Sequence, residues 1–219
     1  MYRIFYTHIY KYSMEFKKWF EEKERPPRIL WFTGMNSSGS KPKNLAAMGY
    51  EVKSIGTTNH YFAAYLGRIK RYQPFQMIRK AADTWGTQHM QDNISKHDEE
   101  IKDFTPDVVV GTSQGGAVAM KLGNRYPKAK FVLGCPAWKI FNSKPENLPR
   151  DTIIIHGKKD ITVPAQDSVE LADTYGFRLV TYSNIGHGIP LPIIKLGIDR
   201  QLNSLGITIP KNIPATATT

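Results

Sequence analysis

The sequence predicts an α/β fold, a three-layer sandwich of about six mostly parallel strands with helices on both faces. Three features predict it. From residue 28 onward, short β-rich runs alternate with helical stretches, a rhythm that implies parallel strands joined by crossover helices. The runs are near-continuously apolar rather than alternating, as strands covered on both faces require. A glycine-rich turn, Gly111-Thr112-Ser113-Gln114-Gly115-Gly116, also joins one such run directly to a small-residue, helix-compatible stretch.

In chain order, residues 1–27 form an N-terminal appendage. Ser13 suits the cap of a short helix with Phe16, Trp19 and Phe20 on one face, and Pro26-Pro27 ends it. That aromatic face is expected to pack on the body of the protein; a membrane-surface helix or a dimer contact is the sharper alternative. Residues 28–205 then read as one domain. Strands are expected at 28–33, 51–56, 107–111, 130–134, 152–156 and 178–182, and helices at 42–48, 76–104, 114–126, 165–175 and 189–205. Residues 57–106 exceed what one crossover needs and are expected to form a pocket-shaping insert. Trp85 and Met90, on its long helix, are expected in the core. Residues 135–151 read as a proline-containing loop, and residues 206–219, with Pro210 and Pro214, as a frayed tail. Right-handed crossovers bring the C-terminal ends of all parallel strands to one sheet edge, where ligand sites of such folds lie.

Composition narrows the function classes. The chain has 219 residues, 41% hydrophobic and 22% charged, as in an ordinary globular domain. No apolar run approaches the roughly 18 residues of a membrane span. The first residues lack a continuous apolar stretch, and the single cysteine, Cys135, permits no internal disulfide; both point to a cytoplasmic protein. Cys135 is expected to be a small buried hydrophobe. The net charge is +11, but the 30 Lys and Arg residues are spread along the chain without a nucleic-acid motif, so no nucleic-acid partner is expected.

The chemistry starts at Ser113. A serine in a sharp strand-to-helix turn sits in strained backbone, so its neighbours must be small; Gly111 and Gly115 meet that need. Its hydroxyl then projects beyond the sheet, above a helix N-terminus whose N–H groups and dipole favour an oxyanion. A serine hydroxyl needs a base. Of the six histidines, His187 lies just past the last expected strand, between Gly186 and Gly188, at the same sheet edge as Ser113. The orienting acid should come from another loop there. Asp160 follows the 152–156 strand at the correct end; Asp151 sits at the wrong end, and Asp167 is a weaker second choice.

These residues resemble the α/β-hydrolase superfamily. The order Ser113, Asp160, His187 is that family's chain order, and residues 156–164 are similar to its H-G-x-x-D-x-x-V-P acid loop. The similarity is closest to compact esterases and thioesterase-like members without a large cap. It implies a reduced α/β-hydrolase fold and a serine hydrolase acting on a carboxylic ester or thioester, with Ser113, Asp160 and His187 catalytic and no cofactor or metal. It also implies an oxyanion hole from the backbone N–H groups of Met35 and Gln114, although Thr33 stands where the small-esterase pattern has histidine. Gly34, Asn36, Tyr61 and Tyr65 are the expected substrate-binding residues. The same triad serves acyltransferases and perhydrolases. Readings from other classes are a non-catalytic binding protein on this fold and a basic surface protein that binds RNA or anionic lipid through residues 1–27.

Overall fold

The computed structural model describes residues 25–35, 37–56, 65 and 76–209. The elements are β1 (Arg28–Phe32), α1 (Ser40–Ala47), β2 (Glu51–Ile55), α2 (Gln76–Ile101), β3 (Val108–Thr112), α3 (Gln114–Ala119), β4 (Lys130–Gly134), β5 (Ile153–Gly157), α4 (Ala165–Tyr175), β6 (Arg178–Tyr182) and α5 (Leu191–Ser204). The strands form one six-stranded sheet in the order β2-β1-β3-β4-β5-β6, and every neighbouring pair is parallel.

Side chains alternate across the sheet, so each central strand feeds two cores. Leu30, Phe32, Val109, Phe131 and Leu133 point to a cluster completed by Met90 and Ile101 of α2, Val118 of α3 and Leu171 of α4. Ile29, Trp31, Val108, Val110 and Val132 point the other way, onto Leu45 of α1 and Ile194, Ile198 and Leu202 of α5. Burial on both faces is why these strands read as unbroken apolar runs. The edge strands β2 and β6 keep exposed positions such as Glu51, Ser54, Arg178 and Thr181.

Two expectations need correction. The helix expected over 114–126 ends at Ala119. The carbonyl of Met120, which a continuing helix would use, instead accepts the N–H of Glu146 at 2.9 Å, and Lys121 and Leu122 close tighter turns onto Val118 and Ala119. Trp85 is not in the core but 54% exposed. The buried stripe of α2 is Ala82, Gly86, His89, Met90 and Asn93, and helical spacing leaves Trp85 off it. Met90 is buried, as expected.

At the N-terminal end of the sheet, Asp107 accepts both guanidinium N–H groups of Arg25 at 2.8 and 2.7 Å and the backbone N–H of Arg28 at 2.7 Å. The expected aromatic helix of the appendage lies outside the described residues. Among the described residues, no helix is long and apolar enough to cross a membrane.

Candidate active site

Ser113 sits between β3 and α3 at φ 56°, ψ −121°, a conformation that costs a residue with a Cβ. Its surroundings fix it there. Its N–H donates to Gly134 O at 2.8 Å, and its carbonyl accepts N–H groups from Gly116 and Ala137, each at 3.0 Å. The close backbone crossing at the turn requires glycine. A Cβ on Gly111 would lie 2.4 Å from Gly115 O, and one on Gly115 would lie 2.2 Å from Phe32 O.

The other two residues arrive on neighbouring loops. Asp160 follows β5 and His187 follows β6. The two loops are joined through their backbones: Lys158 N–H donates to Tyr182 O at 2.9 Å and Lys159 N–H to Ile185 O at 3.0 Å. His187 Nε2 lies 2.8 Å from Ser113 Oγ, and its Nδ1 lies 2.7 Å from Asp160 Oδ2. The imidazole is 28% exposed and the carboxylate fully buried, so of this pair the histidine is the member that solvent reaches.

Asp160 is held from several directions. Its Oδ1 accepts the N–H groups of Thr162 at 2.8 Å and Val163 at 2.9 Å. Its Oδ2 also lies 3.3 Å from His156 Nε2. Burial is the largest single effect on this carboxyl and works to raise it. The hydrogen bonds from His156, His187 and Val163 together outweigh burial and hold it well below the usual carboxylate range.

The first strand's loop lies against the serine. A Cβ on Gly34 would come within 2.9 Å of Ser113 Cβ. Met35 follows, partly buried against the cluster under α2, α3 and α4. Thr33, standing in place of the pattern's histidine, is buried and anchors the loop to β2: its N–H lies 3.0 Å and its hydroxyl 3.4 Å from Ile55 O. Gln114 opens α3 and is buried. Its N–H belongs to the first helical turn, where donors lack partners within the helix.

Thus Ser113, Asp160 and His187 come together, with Gly34 against the serine and Gln114 next to it in the chain. Tyr65 is 60% exposed. Asn36, Tyr61 and the first part of the insert 57–106, residues 57–75 apart from Tyr65, lie outside the described residues, as do His8, His60 and the side chain of His97. The alternative acids are engaged elsewhere: Asp151 pairs with Lys130 at 2.5 Å, and Asp167 lies 3.7 Å from Lys139.

Two features escaped the sequence reading. His89 of α2 is buried against the carboxamide of Gln114 and beside Phe141, tying the insert's helix to the serine's neighbour. His156 is fully buried against Asp160. Its place at the head of the acid-loop pattern was the available signal. Cys135 sits close by, buried as expected, and burial pushes its thiol up. The donor atoms of Cys135, His156 and Asp160 lie within 4.8 Å of one another. Both nitrogens of His156 already face Ser168 and Val163 O, so a cation here would have to displace those contacts.

No protein-family profile and no curated protein sequence matches the chain. Solved structures do resemble it. MGS-MChE2, an α/β-hydrolase enzyme from the metagenome of sediments of the Mar Chica lagoon in Morocco, superposes at a TM-score of 0.54 with 13% identity, over 84% of this chain and 94% of that one. Est1E from Butyrivibrio proteoclasticus gives 0.53 with 14% identity, over 82% and 90%. A variant of SOBER1 from Arabidopsis thaliana gives 0.51 with 19% identity, over 80% and 100%. The chain therefore has the α/β-hydrolase fold, in a reduced form with a six-stranded parallel sheet.

Proposed function

We propose that the protein is a serine hydrolase that cleaves a carboxylic ester or thioester through an acyl-enzyme on Ser113. The observation that carries this reading is the imidazole of His187, within hydrogen-bond distance of both the Ser113 hydroxyl and the buried Asp160 carboxylate. Residues 28–205 are the catalytic domain of a cytoplasmic enzyme, and 57–106 its pocket-forming insert.

The reaction follows from the geometry. Ser113 Oγ adds to the acyl carbonyl carbon while His187 Nε2 takes its proton. Asp160 keeps the Nδ1–H tautomer in place and balances the imidazolium. The carbonyl oxygen, now anionic, is held by the N–H groups of Met35 and Gln114; losing one such donor costs about 100- to 1,000-fold in turnover. The bond to the leaving alcohol or thiol then breaks, and His187 returns its proton to that group. Water, deprotonated by His187, releases the acid and restores Ser113. Gly34 gives the acyl group room beside the serine. Asn36, Tyr61 and Tyr65 contribute the rest of the substrate contacts. No cofactor takes part in these steps.

The test is a series of p-nitrophenyl esters of increasing acyl length together with labelling by a fluorophosphonate. Wild type should turn over at least one ester and be labelled, and Ser113→Ala should do neither. Activity and labelling that survive Ser113→Ala would remove the assignment.

A further inference from the structure

Asp160 lies between two serine–histidine pairs. On the open side, His187 reaches from Asp160 Oδ2 to Ser113 Oγ at 2.7 and 2.8 Å. On the buried side, His156 contacts the same oxygen at 3.3 Å through Nε2, and its Nδ1 lies 2.6 Å from Ser168 Oγ. The proton on His156 is assigned by its partners. Nε2 lies 2.9 Å from the carbonyl of Val163, which can only accept, so Nε2 carries the hydrogen. Nδ1 is then the lone-pair nitrogen and accepts the Ser168 hydroxyl proton. Both imidazoles therefore turn a protonated nitrogen toward Asp160 and a lone pair toward a serine, but His187 bonds the carboxylate directly while the His156 N–H goes to Val163 O and stands 3.3 Å from Asp160 Oδ2.

The buried pair has no route to substrate. His156 and Ser168 are 0% exposed. His156 is the last residue but one of β5, and Ser168 lies in the first turn of α4, so both stand on rigid elements. We infer that His156, oriented by Ser168, is a positioning residue that holds the Asp160 carboxylate ionised and aimed at His187. This rests on the function proposed above. Asp160 needs such support because its side chain is fully buried, and an ionised carboxylate out of water must be compensated by donors. His156, 3.3 Å away, is one of the groups that hold this carboxyl low. Among the described residues, the titratable groups around Asp160 are His156 from β5, His187 from the loop after β6 and Cys135 from the loop after β4. Lys41 of α1 acts electrostatically on Cys135.

The test compares wild type, Ser168→Ala, His156→Gln and the double variant. In wild type, nitrogen NMR of ¹⁵N-histidine-labelled protein should find His156 as the neutral Nε2–H tautomer. Ser168→Ala frees Nδ1, loosens the ring and weakens its bond to Asp160. The carboxyl then protonates more readily, so its ¹³C titration moves to higher pH. kcat should fall roughly 10-fold with KM nearly unchanged, because the pair touches the acid and not the substrate. The double variant should be no worse than His156→Gln alone, since the serine acts through the histidine.

A His156 found as the Nδ1–H tautomer would overturn the inference. So would a folded Ser168→Ala enzyme with an unmoved Asp160 titration and wild-type kcat. If His156→Gln fails to fold, Ser168→Ala and the wild-type tautomer still decide. The Asp160 carboxyl can also be titrated by ¹³C NMR without turnover. If wild type cleaves no ester and takes no label, the proposed function fails, and this titration still reports whether the buried pair controls the acid.

Discussion

Replacing Gly115 by alanine tests whether the turn around Ser113 is set by backbone contact or merely tolerates glycine. A Cβ there would stand 2.2 Å from Phe32 O, 2.5 Å from Phe32 C and 2.7 Å from Thr33 O. Comfortable carbon contacts begin near 3.5 Å, so relief needs a movement of about 1 Å. The obstructing atoms are main chain and have nowhere to go: Phe32 is in register with Gly111 on one side and Ile55 on the other. The cost should reach the upper end of that for overpacking, about 3 kcal/mol. At about 2–4 °C per kcal/mol for a chain of this size, Tm should fall by roughly 6–12 °C. The displaced segment carries Gly34 and Met35 beside the serine, and a misplacement of about 1 Å costs around 100-fold in kcat. Gly188→Ala is the control. Nothing lies within 4 Å of its Cβ position, so its stability should stay within about 0.5 kcal/mol of wild type. Thermal and urea unfolding with kcat on one ester measure all of this. A Gly115→Ala protein melting within about 2 °C of wild type would refute the reasoning.

Three further outcomes are expected. Asp160→Asn should lower kcat by about 10⁴-fold, because it fixes the wrong His187 tautomer. The Asp160 carboxyl is lower in the folded than in the unfolded state. Its stabilisation is therefore complete above the unfolded value of about 4 and is lost as pH falls through the folded range. Urea midpoints should show the difference between wild type and Asp160→Asn shrinking on acidification; a difference that grows would contradict the assignment. Cys135 is 1% exposed, with its thiol pushed up by burial. At pH 8 the folded protein should leave a disulfide reagent unreacted, and denaturant should release the single thiol; fast reaction in the native state would show that Cys135 is accessible.

The parts of the fold that were legible in the sequence are those whose burial is two-sided or whose turns are steric. The central strands β1, β3, β4 and β5 announce themselves because nearly every side chain is apolar. Ser113, Asp160 and His187 were legible because each is marked by its local chain: a glycine-framed turn, an acid loop ending in Val163-Pro164, and a glycine-flanked histidine after the last strand. What was not legible depends on contacts made at a distance. The inner stripe of α2 carries Gly86, His89 and Asn93 among its buried residues, so hydropathy favoured Trp85, which the helix turns outward. Gly86 is there because Phe141 crosses it: a Cβ would meet the Phe141 carbonyl at 3.0 Å. The early end of α3 is likewise set by Glu146, a residue 32 positions past Gln114, whose N–H takes the Met120 carbonyl. Neither local propensity nor periodicity carries that information.

Burying the acid completely looks wasteful, since an exposed carboxylate would be cheaper to keep ionised. In the proposed reaction the burial has a use. Water at Asp160 would screen its attraction to the imidazolium at the moment that charge appears, and the interaction is far stronger where water is excluded. Excluding water raises the cost of the ground-state carboxylate, so the fold must supply donors in its place. Thr162, Val163 and His156 do so from one loop and one strand end, all anchored before any substrate arrives. These donors are fixed dipoles, whereas solvent would have to reorganise as charge moves. The histidine itself remains 28% exposed, as the proposed reaction requires of a group that must meet both the substrate and the water that ends the cycle. The site thus divides its labour by burial: the permanent charge lies inside and the transient one at the rim. An Asp160 held less firmly from its buried side should therefore act as a weaker partner to His187 even where it stays ionised, and the Ser168→Ala enzyme should keep a kcat deficit at neutral pH.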